Sequence, residues 1–152
     1  MVVRVQAEAF DVAAEIAALT RLSKDVGAVV TFTGLCRDEG GKLAALEIEH
    51  YPGMAEEEIE RVVAAALERW PLQGVTVIHR HGRILPGEDI VLVVTASAHR
   101  RSAFEAAEFL MDYLKTSAPF WKKELSVSGE ARGWVASKAA DAADAQRWRG
   151  ER

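Results

Sequence analysis

The sequence predicts an α+β domain built on a mainly antiparallel sheet. Helical patterns alternate twice with strand patterns, and the remaining strands are joined by short turns that contain glycine or proline. No repeat, low-complexity tract or linker interrupts the 152 residues. We therefore expect a single domain over residues 1–152, long enough to bury a hydrophobic core.

Each element follows from a local pattern. Alternating or β-branched apolar runs indicate strands, and apolar residues at i, i+3, i+4 and i+7 indicate helices. Asp11 is placed to cap the first helix, and Pro71 ends the second. In order, we predict strand 2–6, helix 12–23, strands 27–34 and 43–51, a helix from about 56 to 70, strands 75–82 and 88–97, helix 99–115, and a final hairpin of 121–128 with 133–138.

Three further expectations concern how these elements connect. Strand 43–51 is expected to pair back onto strand 27–34 across the turn at residues 37–42. Gly129 is expected to turn the final hairpin. The tail from Ala139 onward is polar and rich in alanine, which indicates a marginal helix or a segment ordered by a partner.

Composition and charge exclude several classes of function. A formal net charge of −4 argues against non-specific nucleic-acid binding. Apolar runs such as residues 90–94 are far too short to cross a bilayer, and nothing in the first ten residues suggests secretion. The single cysteine, Cys36, cannot form an intramolecular disulfide and fits a reducing cytoplasm. We expect a cytoplasmic protein that binds neither nucleic acid nor membrane.

The segment from Leu110 to Glu124 carries the strongest local signal. Lys115 closes a helix, Pro119 interrupts the chain, and Lys122 follows two aromatic residues on the next strand. One interpretation is an ordinary helix end, where a cation complements the helix dipole, followed by a solvated strand. The other is that the two amines converge on an anion and serve as nucleophile or base. Spacing alone leaves both interpretations open.

Two other places are candidates for anion binding. His99 and Arg100 lie where a strand passes into a helix, and the free backbone N–H groups of a first helical turn suit phosphate or carboxylate. Arg37 follows a strand end and opens a glycine-rich loop, a position that often carries binding residues.

The remaining reactive residues give weaker signals. Cys36 is more often a small apolar filler than a nucleophile, although the adjacent Arg37 could lower its pKa. His79 and His81 share one strand face and could form half a metal site. No third ligand has a recognisable spacing, so we expect no metal.

Together the motifs resemble the family of catalytic (large) subunits of molybdopterin synthase. The resemblance covers nearly the whole chain. It rests on GAVVTFTG with Arg37 shortly after it, LEIEHYPGMAE, RWPLQGVTVIHRHG, PGEDIVLVV, SAHRRSAFEAAEFLMDYLKTSAPFWKKE and WVASKAAD.

This resemblance implies an α/β hammerhead-like fold with an additional small antiparallel sheet. It implies a sulfurtransferase of molybdenum cofactor biosynthesis, which converts cyclic pyranopterin monophosphate to molybdopterin by inserting the dithiolene sulfurs. The sulfur arrives as a thiocarboxylate on the C-terminal Gly-Gly tail of a small ubiquitin-like subunit. Two catalytic subunits form a homodimer within a heterotetramer, and no cofactor is implied.

The resemblance also assigns residues. Lys115 and Lys122 match the two active-site lysines of the family. The positions that match substrate binding, or lie beside such positions, are Leu35, Cys36, Arg37, His99, Arg100, Lys123 and Glu124. Two features depart from the family pattern. The loop RDEGGK is shorter, and Lys138 stands where a basic residue is expected to reach across the dimer, although lysine lacks the bidentate fork of arginine.

Two competing functions follow from the residues alone. Cys36, activated beside Arg37, could carry sulfur as a persulfide. Alternatively, the chain could be a non-catalytic module whose acidic segment 38–68 or basic corner docks another protein.

Overall fold

The computed structural model of the protein describes residues 1–129, 131–135 and 139–149. The strands are β1 (Val2–Gln6), β2 (Ala28–Leu35), β3 (Leu43–His50), β4 (Leu72–Arg80), β5 (Gly82–Ile84), β6 (Asp89–Ser97), β7 (Phe120–Ser126) and β8 (Ala131–Val135). The helices are α1 (Val12–Thr20), α2 (Met54–Arg69), α3 (Arg100–Thr116) and α4 (Ala139–Gln146), with a 3₁₀ turn over Arg147–Arg149.

The described strands form two four-stranded sheets. The first has the order β1-β4-β6-β2 and the second the order β5-β3-β7-β8. Within these sheets β1 pairs with β4 in parallel, and the other pairings are antiparallel. The prediction of an α+β domain with a mainly antiparallel sheet and an additional antiparallel sheet is confirmed.

The predicted pairing of strand 43–51 with strand 27–34 is wrong. Within the described sheets β2 is an edge strand bonded to β6, whereas β3 lies in the second sheet between β5 and β7. The turn between β2 and β3 is closed by Asp38, whose carbonyl accepts from the Leu43 amide at 2.9 Å. Alternating apolar residues identify a strand but do not select its partner, and here β6 pairs with both β2 and β4.

The two sheets share one hydrophobic core. Helix α3 buries the face that contains Ala103, Phe109 and Leu110 and lies against β6 and β2. Helix α2 buries Ile59 and Val63 into the same cluster, which also contains residues of β3 and β4. The long helix α3 therefore rests on the first sheet, and its C-terminal end leads into β7 of the second sheet.

The C-terminal tail is more firmly held than its composition indicates. Trp148 is buried, and its indole N–H donates to Asp112 Oδ2 on α3 at 2.5 Å. Arg69 on α2 donates to the carbonyl of Trp148 at 2.7 Å. The tail expected to be marginal thus forms α4 and ends in a buried anchor. The predicted cross-dimer residue Lys138 lies outside the described residues.

Candidate active site at the end of helix α3

A cavity of about 350 Å³ lies where the ends of β2 and α3 meet the start of β7. Apolar side chains from β3, β6 and α3 form part of its wall. Its charged and imidazole lining residues are Arg37, Glu39, His79, Lys115, Lys122 and Glu124. The cavity therefore collects side chains that are far apart in sequence from both sheets and from the long helix.

The structure brings Lys115 and Lys122 together at this cavity. Lys115 lies in the last turn of α3, which ends where the Ser117 amide donates to the carbonyl of Tyr113 at 2.7 Å. Pro119 then turns the chain into β7, on which Lys122 is half-buried. Because the corner between the end of α3 and the start of β7 is short, both lysines are among the residues that line one cavity. The two side chains therefore share one cavity, and their action on an anion stays a prediction.

The alternation of β7 separates its side chains into two groups. Phe120, Lys122 and Glu124 line the cavity. Lys123 is not among the lining residues and lies opposite Glu47 in the pairing of β7 with β3. Successive strand residues point to opposite faces of a sheet, so Lys123 belongs to the other face of β7. Its assignment to substrate binding remains a prediction from the resemblance.

Cys36 lines the cavity from the end of β2 but is only 2% exposed. Burial raises the pKa of its thiol, and the nearby carboxylates of Glu39 and Glu88 raise it further. The expectation that Arg37 could lower this pKa is wrong, because desolvation and the neighbouring negative charges oppose the thiolate. A protonated, buried thiol is a poor nucleophile.

Arg37 is exposed at the mouth of the cavity. The loop that follows it is a compact turn in which Asp38 Oδ1 accepts from the Gly40 amide at 3.1 Å. Gly40 and Gly41 have φ values of 72° and 84°, the left-handed region that glycine enters at little cost. This turn carries Glu39 back to the cavity beside Arg37.

His79 is a wall residue that sequence reasoning considered only as a metal ligand. Its ring is stacked on Phe120, with centroids 3.8 Å apart and ring planes 13° apart. Burial lowers the pKa of His79 to about 3, and the positive charges of Lys122 and Lys115 act in the same direction. A signal for its burial was present, since Val75, Val77 and His79 share one face of a central strand.

The two histidines do not act together. His79 belongs to the cavity wall, whereas His81 follows the end of β4 and lies beside His50, with ring centroids 4.2 Å apart. Among the residues that the structure describes, no group of three or more His, Cys, Asp or Glu side chains is placed to hold a metal ion.

His99 and Arg100 lie at the other end of the sheet. In the pairing of β2 with β6, Leu35 is opposite Asp89 and Ala28 is opposite Ser97. Arg37 follows one end of this ladder and His99 the other, so roughly 23 Å of strand separates them. Both His99 and Arg100 are exposed. Within one chain they cannot contact a phosphate held by Arg37.

The cavity is suited to an anionic reactant. Three cationic side chains, Arg37, Lys115 and Lys122, face two carboxylates, Glu39 and Glu124. Arginine can bind a phosphate through two parallel hydrogen bonds, and lysine ammonium groups can stabilise an oxyanion that develops on an acyl group. The half-buried position of Lys122 strengthens such interactions relative to water.

A larger groove of about 800 Å³ lies between α2 and α3. It is lined by Trp70, Phe109, Tyr113 and Trp148 among others, and it contains no residue predicted for the site. Trp148 forms edge contacts with Trp70 and Phe109 at 5.8 and 5.7 Å between ring centroids. Trp148 of the C-terminal tail therefore forms part of the wall of this groove. In the described part of the chain, no helix is long and apolar enough to span a membrane.

Comparisons with known proteins identify similar chains. A family model described as MoaE protein matches residues 5–117. A molybdopterin synthase catalytic subunit from Mesorhizobium japonicum is 69% identical over 147 residues, which are 97% of this chain and 92% of the relative. The solved structure of the molybdopterin biosynthesis MoaE protein from Burkholderia ambifaria has a TM-score of 0.83 and 47% identity, covering 99% of each chain.

A more distant structural match shows the fold alone. It is a chain from Helicobacter pylori in a structure described as the protein–protein complex of subunits 1 and 2 of molybdopterin-converting factor. That chain is 23% identical, with a TM-score of 0.73, and the match covers 91% of this chain and 92% of the other.

Proposed function

Because the chain belongs to the MoaE protein family, we propose that it is the catalytic subunit of a molybdopterin synthase and transfers sulfur in molybdenum cofactor biosynthesis. The observation that carries this proposal is the convergence of Lys115 and Lys122 on one cavity with Arg37 at its mouth. The 69% identity with a relative of that name, over nearly the whole chain, supports the same conclusion.

The proposed substrate is cyclic pyranopterin monophosphate, and the proposed sulfur donor is a thiocarboxylate. The thiocarboxylate sulfur forms a bond to a side-chain carbon of the pterin while a carbon–oxygen bond at that carbon breaks. The oxygen leaves as water or stays on the opened phosphate ester, and a thioester then links donor and pterin. Water then adds to the acyl carbon and the acyl carbon–sulfur bond breaks. The sulfur stays on the pterin, and the donor leaves as a carboxylate. Two such transfers supply the dithiolene.

The cationic side chains have distinct parts in this scheme. Lys115 orients the acyl group and stabilises the negative charge that develops on its oxygen. Lys122, on the opposite side of the corner, assists hydrolysis of the thioester. Arg37 binds the cyclic phosphate at the mouth of the cavity, where its exposed guanidinium can reach the reactant as it enters.

The proposed partner is a small ubiquitin-like subunit with a C-terminal Gly-Gly tail. A tail without side chains suits passage along the corner at residues 118–120, where Ala118 and Phe120 line the cavity. The solved Helicobacter pylori chain that shares this fold is described as part of a two-subunit complex. Sulfur chemistry of this kind fits a reducing compartment, so a cytoplasmic location belongs to the proposal.

We further propose that the working unit contains a homodimer of this chain. The strand length that separates Arg37 from His99 supports a phosphate site that takes Arg37 from one copy and His99 with Arg100 from the other. Edge strand β2 and the adjacent face of α3 expose Phe32, Leu35 and Phe104, which are 38%, 52% and 61% exposed. Exposed apolar side chains on an unpaired edge are suited to a second copy.

The alternatives have less support. A persulfide carrier needs a reactive thiol, whereas Cys36 is buried with a raised pKa. A pure docking module does not require two lysines and an arginine at one cavity.

A single-turnover assay tests the proposal. Purified protein is mixed with cyclic pyranopterin monophosphate and a ubiquitin-like subunit that carries a C-terminal thiocarboxylate, and mass spectrometry follows both products. We expect the pterin to gain two sulfurs and the partner to return as carboxylate. Lys115→Ala should nearly abolish transfer, whereas the matched change Lys24→Ala, at an exposed lysine between α1 and β2, should not.

Two outcomes would contradict the proposal. Partner binding without any movement of sulfur would leave the chain as a docking module. Full activity in the double variant Lys115→Ala/Lys122→Ala would remove the lysines from the mechanism even if sulfur were transferred.

A further inference from the structure

His79 is held in the cavity wall by contacts from both sheets. It is a residue of β4 in the first sheet, is 6% exposed, and stacks on Phe120, the first residue of β7 in the second sheet. A ring fixed between two sheets has little freedom to rotate, so its nitrogens have defined positions. His79 is one of the residues that line the cavity, together with Lys115 and Lys122.

The hydrogen bond of His79 determines its tautomer. Nδ1 lies 2.8 Å from the carbonyl oxygen of Arg80. A carbonyl oxygen can only accept, so Nδ1 must carry the proton and donate it. Burial, with the positive charges of Lys122 and Lys115 nearby, holds the pKa of His79 far below its usual range. The ring is therefore neutral at physiological pH, and Nε2 keeps a lone pair.

On the basis of the proposed sulfur-transfer function, we propose that His79 is a positioning residue. Its Nε2 accepts a hydrogen bond from the ammonium group of Lys122. A neutral acceptor orients the ammonium group without neutralising it. A carboxylate in the place of His79 would weaken the positive charge with which Lys122 assists hydrolysis of the thioester. His79 thus fixes the direction of the Lys122 ammonium without itself reducing the positive charge of that group.

Two substitutions separate positioning from packing. His79→Phe keeps a ring that can stack on Phe120 but has no acceptor. His79→Gln loses the ring but can place an amide oxygen near the position of Nε2. If His79 positions Lys122, the single-turnover rate should fall by about tenfold or more in His79→Phe and should be largely restored in His79→Gln. A role in packing alone predicts the reverse order, and that result would overturn the proposal.

A second measurement does not depend on activity. Long-range ¹H–¹⁵N NMR of the wild-type imidazole distinguishes the two neutral tautomers. We expect the proton on Nδ1 and an Nε2 resonance that shifts in Lys122→Ala but not in Lys123→Ala, because Lys123 is on the other face of β7. A proton on Nε2, or an Nε2 resonance unchanged in Lys122→Ala, would overturn the proposal.

The two measurements distinguish the possible failures. If wild-type protein transfers no sulfur while the NMR result is as expected, the proposed function fails and the contact between His79 and Lys122 stands. If wild type is active and His79→Phe is equally active, the proposed function stands and the positioning role of His79 is wrong.

Discussion

The indole nitrogen of Trp148 donates a hydrogen bond to Asp112 Oδ2 over 2.5 Å, and this bond ties the C-terminal tail to the helix that carries Lys115. Arg147 donates to the same carboxylate oxygen at 2.9 Å. Asp112 lies one turn before Lys115 on α3. The tail therefore supports the helix end from which one of the two site lysines projects.

Replacing Trp148 should destabilise the fold. Trp148→Ala removes a buried aromatic side chain from contacts with Trp70 and Phe109 and leaves Asp112 without its indole donor. We expect the free energy of unfolding to fall by about 3 kcal/mol. Urea denaturation followed by circular dichroism measures the change.

A matched control is available at Trp121. This tryptophan is 42% exposed and makes an edge contact with Tyr51. Trp121→Ala should cost about 1 kcal/mol or less. Equal urea midpoints for Trp148→Ala and wild type would show that the tail is not anchored in solution.

Replacing Cys36 should leave sulfur transfer intact. The thiol is buried and burial raises its pKa, so it contributes little thiolate at neutral pH. We expect Cys36→Ala to retain most of the single-turnover rate, and wild-type Cys36 to react slowly with iodoacetamide. Cys36→Ser is a less suitable test, because a hydroxyl buried at this site costs about 1–3 kcal/mol of stability. Loss of transfer in a folded Cys36→Ala variant would revive the persulfide mechanism.

Much of the local structure could be predicted from the sequence, whereas the assembly of the elements could not. The helix that ends at Lys115 and the strand that carries Lys122 are short-range patterns, so their convergence was among the expected outcomes. The strands that pair with β3 could not be predicted from alternating apolar residues, because alternation does not select among the possible neighbouring strands. The burial of Trp148 depends on contacts with Trp70 and Phe109, which are distant in sequence and which an alanine-rich tail does not reveal.

The same limit applies to the candidate site, where short-range patterns could be predicted and contacts between distant elements could not. Arg37, Lys115 and Lys122 were found from their neighbours in sequence and from the family resemblance, and they line one cavity. His79 was not recognised as a wall residue, because its role depends on a ring contact between two sheets. The large separation between His99 and Arg37 could not be predicted from any motif, because it follows from the antiparallel register of β2 with β6.

The neutral state of His79 should make the fold sensitive to acid. The pKa of His79 is lowered to about 3 in the folded protein, whereas an unfolded histidine titrates near 6.5. Below pH 6.5 the unfolded chain gains a proton that the folded chain does not, so stability is lost as pH falls. Between pH 7 and pH 5 this loss should be about 2 kcal/mol, since each pKa unit corresponds to about 1.36 kcal/mol.

The comparison with His79→Phe isolates this contribution. Burial also lowers the pKa of His81, which acts in the same direction in both proteins. Urea denaturation at pH 7 and pH 5 should therefore show a smaller loss of stability in His79→Phe than in wild type. Identical losses in the two proteins would mean that His79 is protonated in the folded state at pH 5.

A phosphate site shared between two copies predicts complementation between inactive variants. Arg37→Ala and Arg100→Ala should each be strongly impaired as homodimers, because every site lacks one phosphate ligand. In a mixed dimer one site carries both changes and the other carries neither. Mixing the two inactive proteins under conditions that exchange subunits should therefore restore about a quarter of the wild-type rate, since random exchange makes half of the dimers mixed. The single-turnover assay measures the recovery, and size-exclusion chromatography confirms that the dimers persist. If each site were built within one chain, every site in the mixture would still lack a ligand and no activity would return.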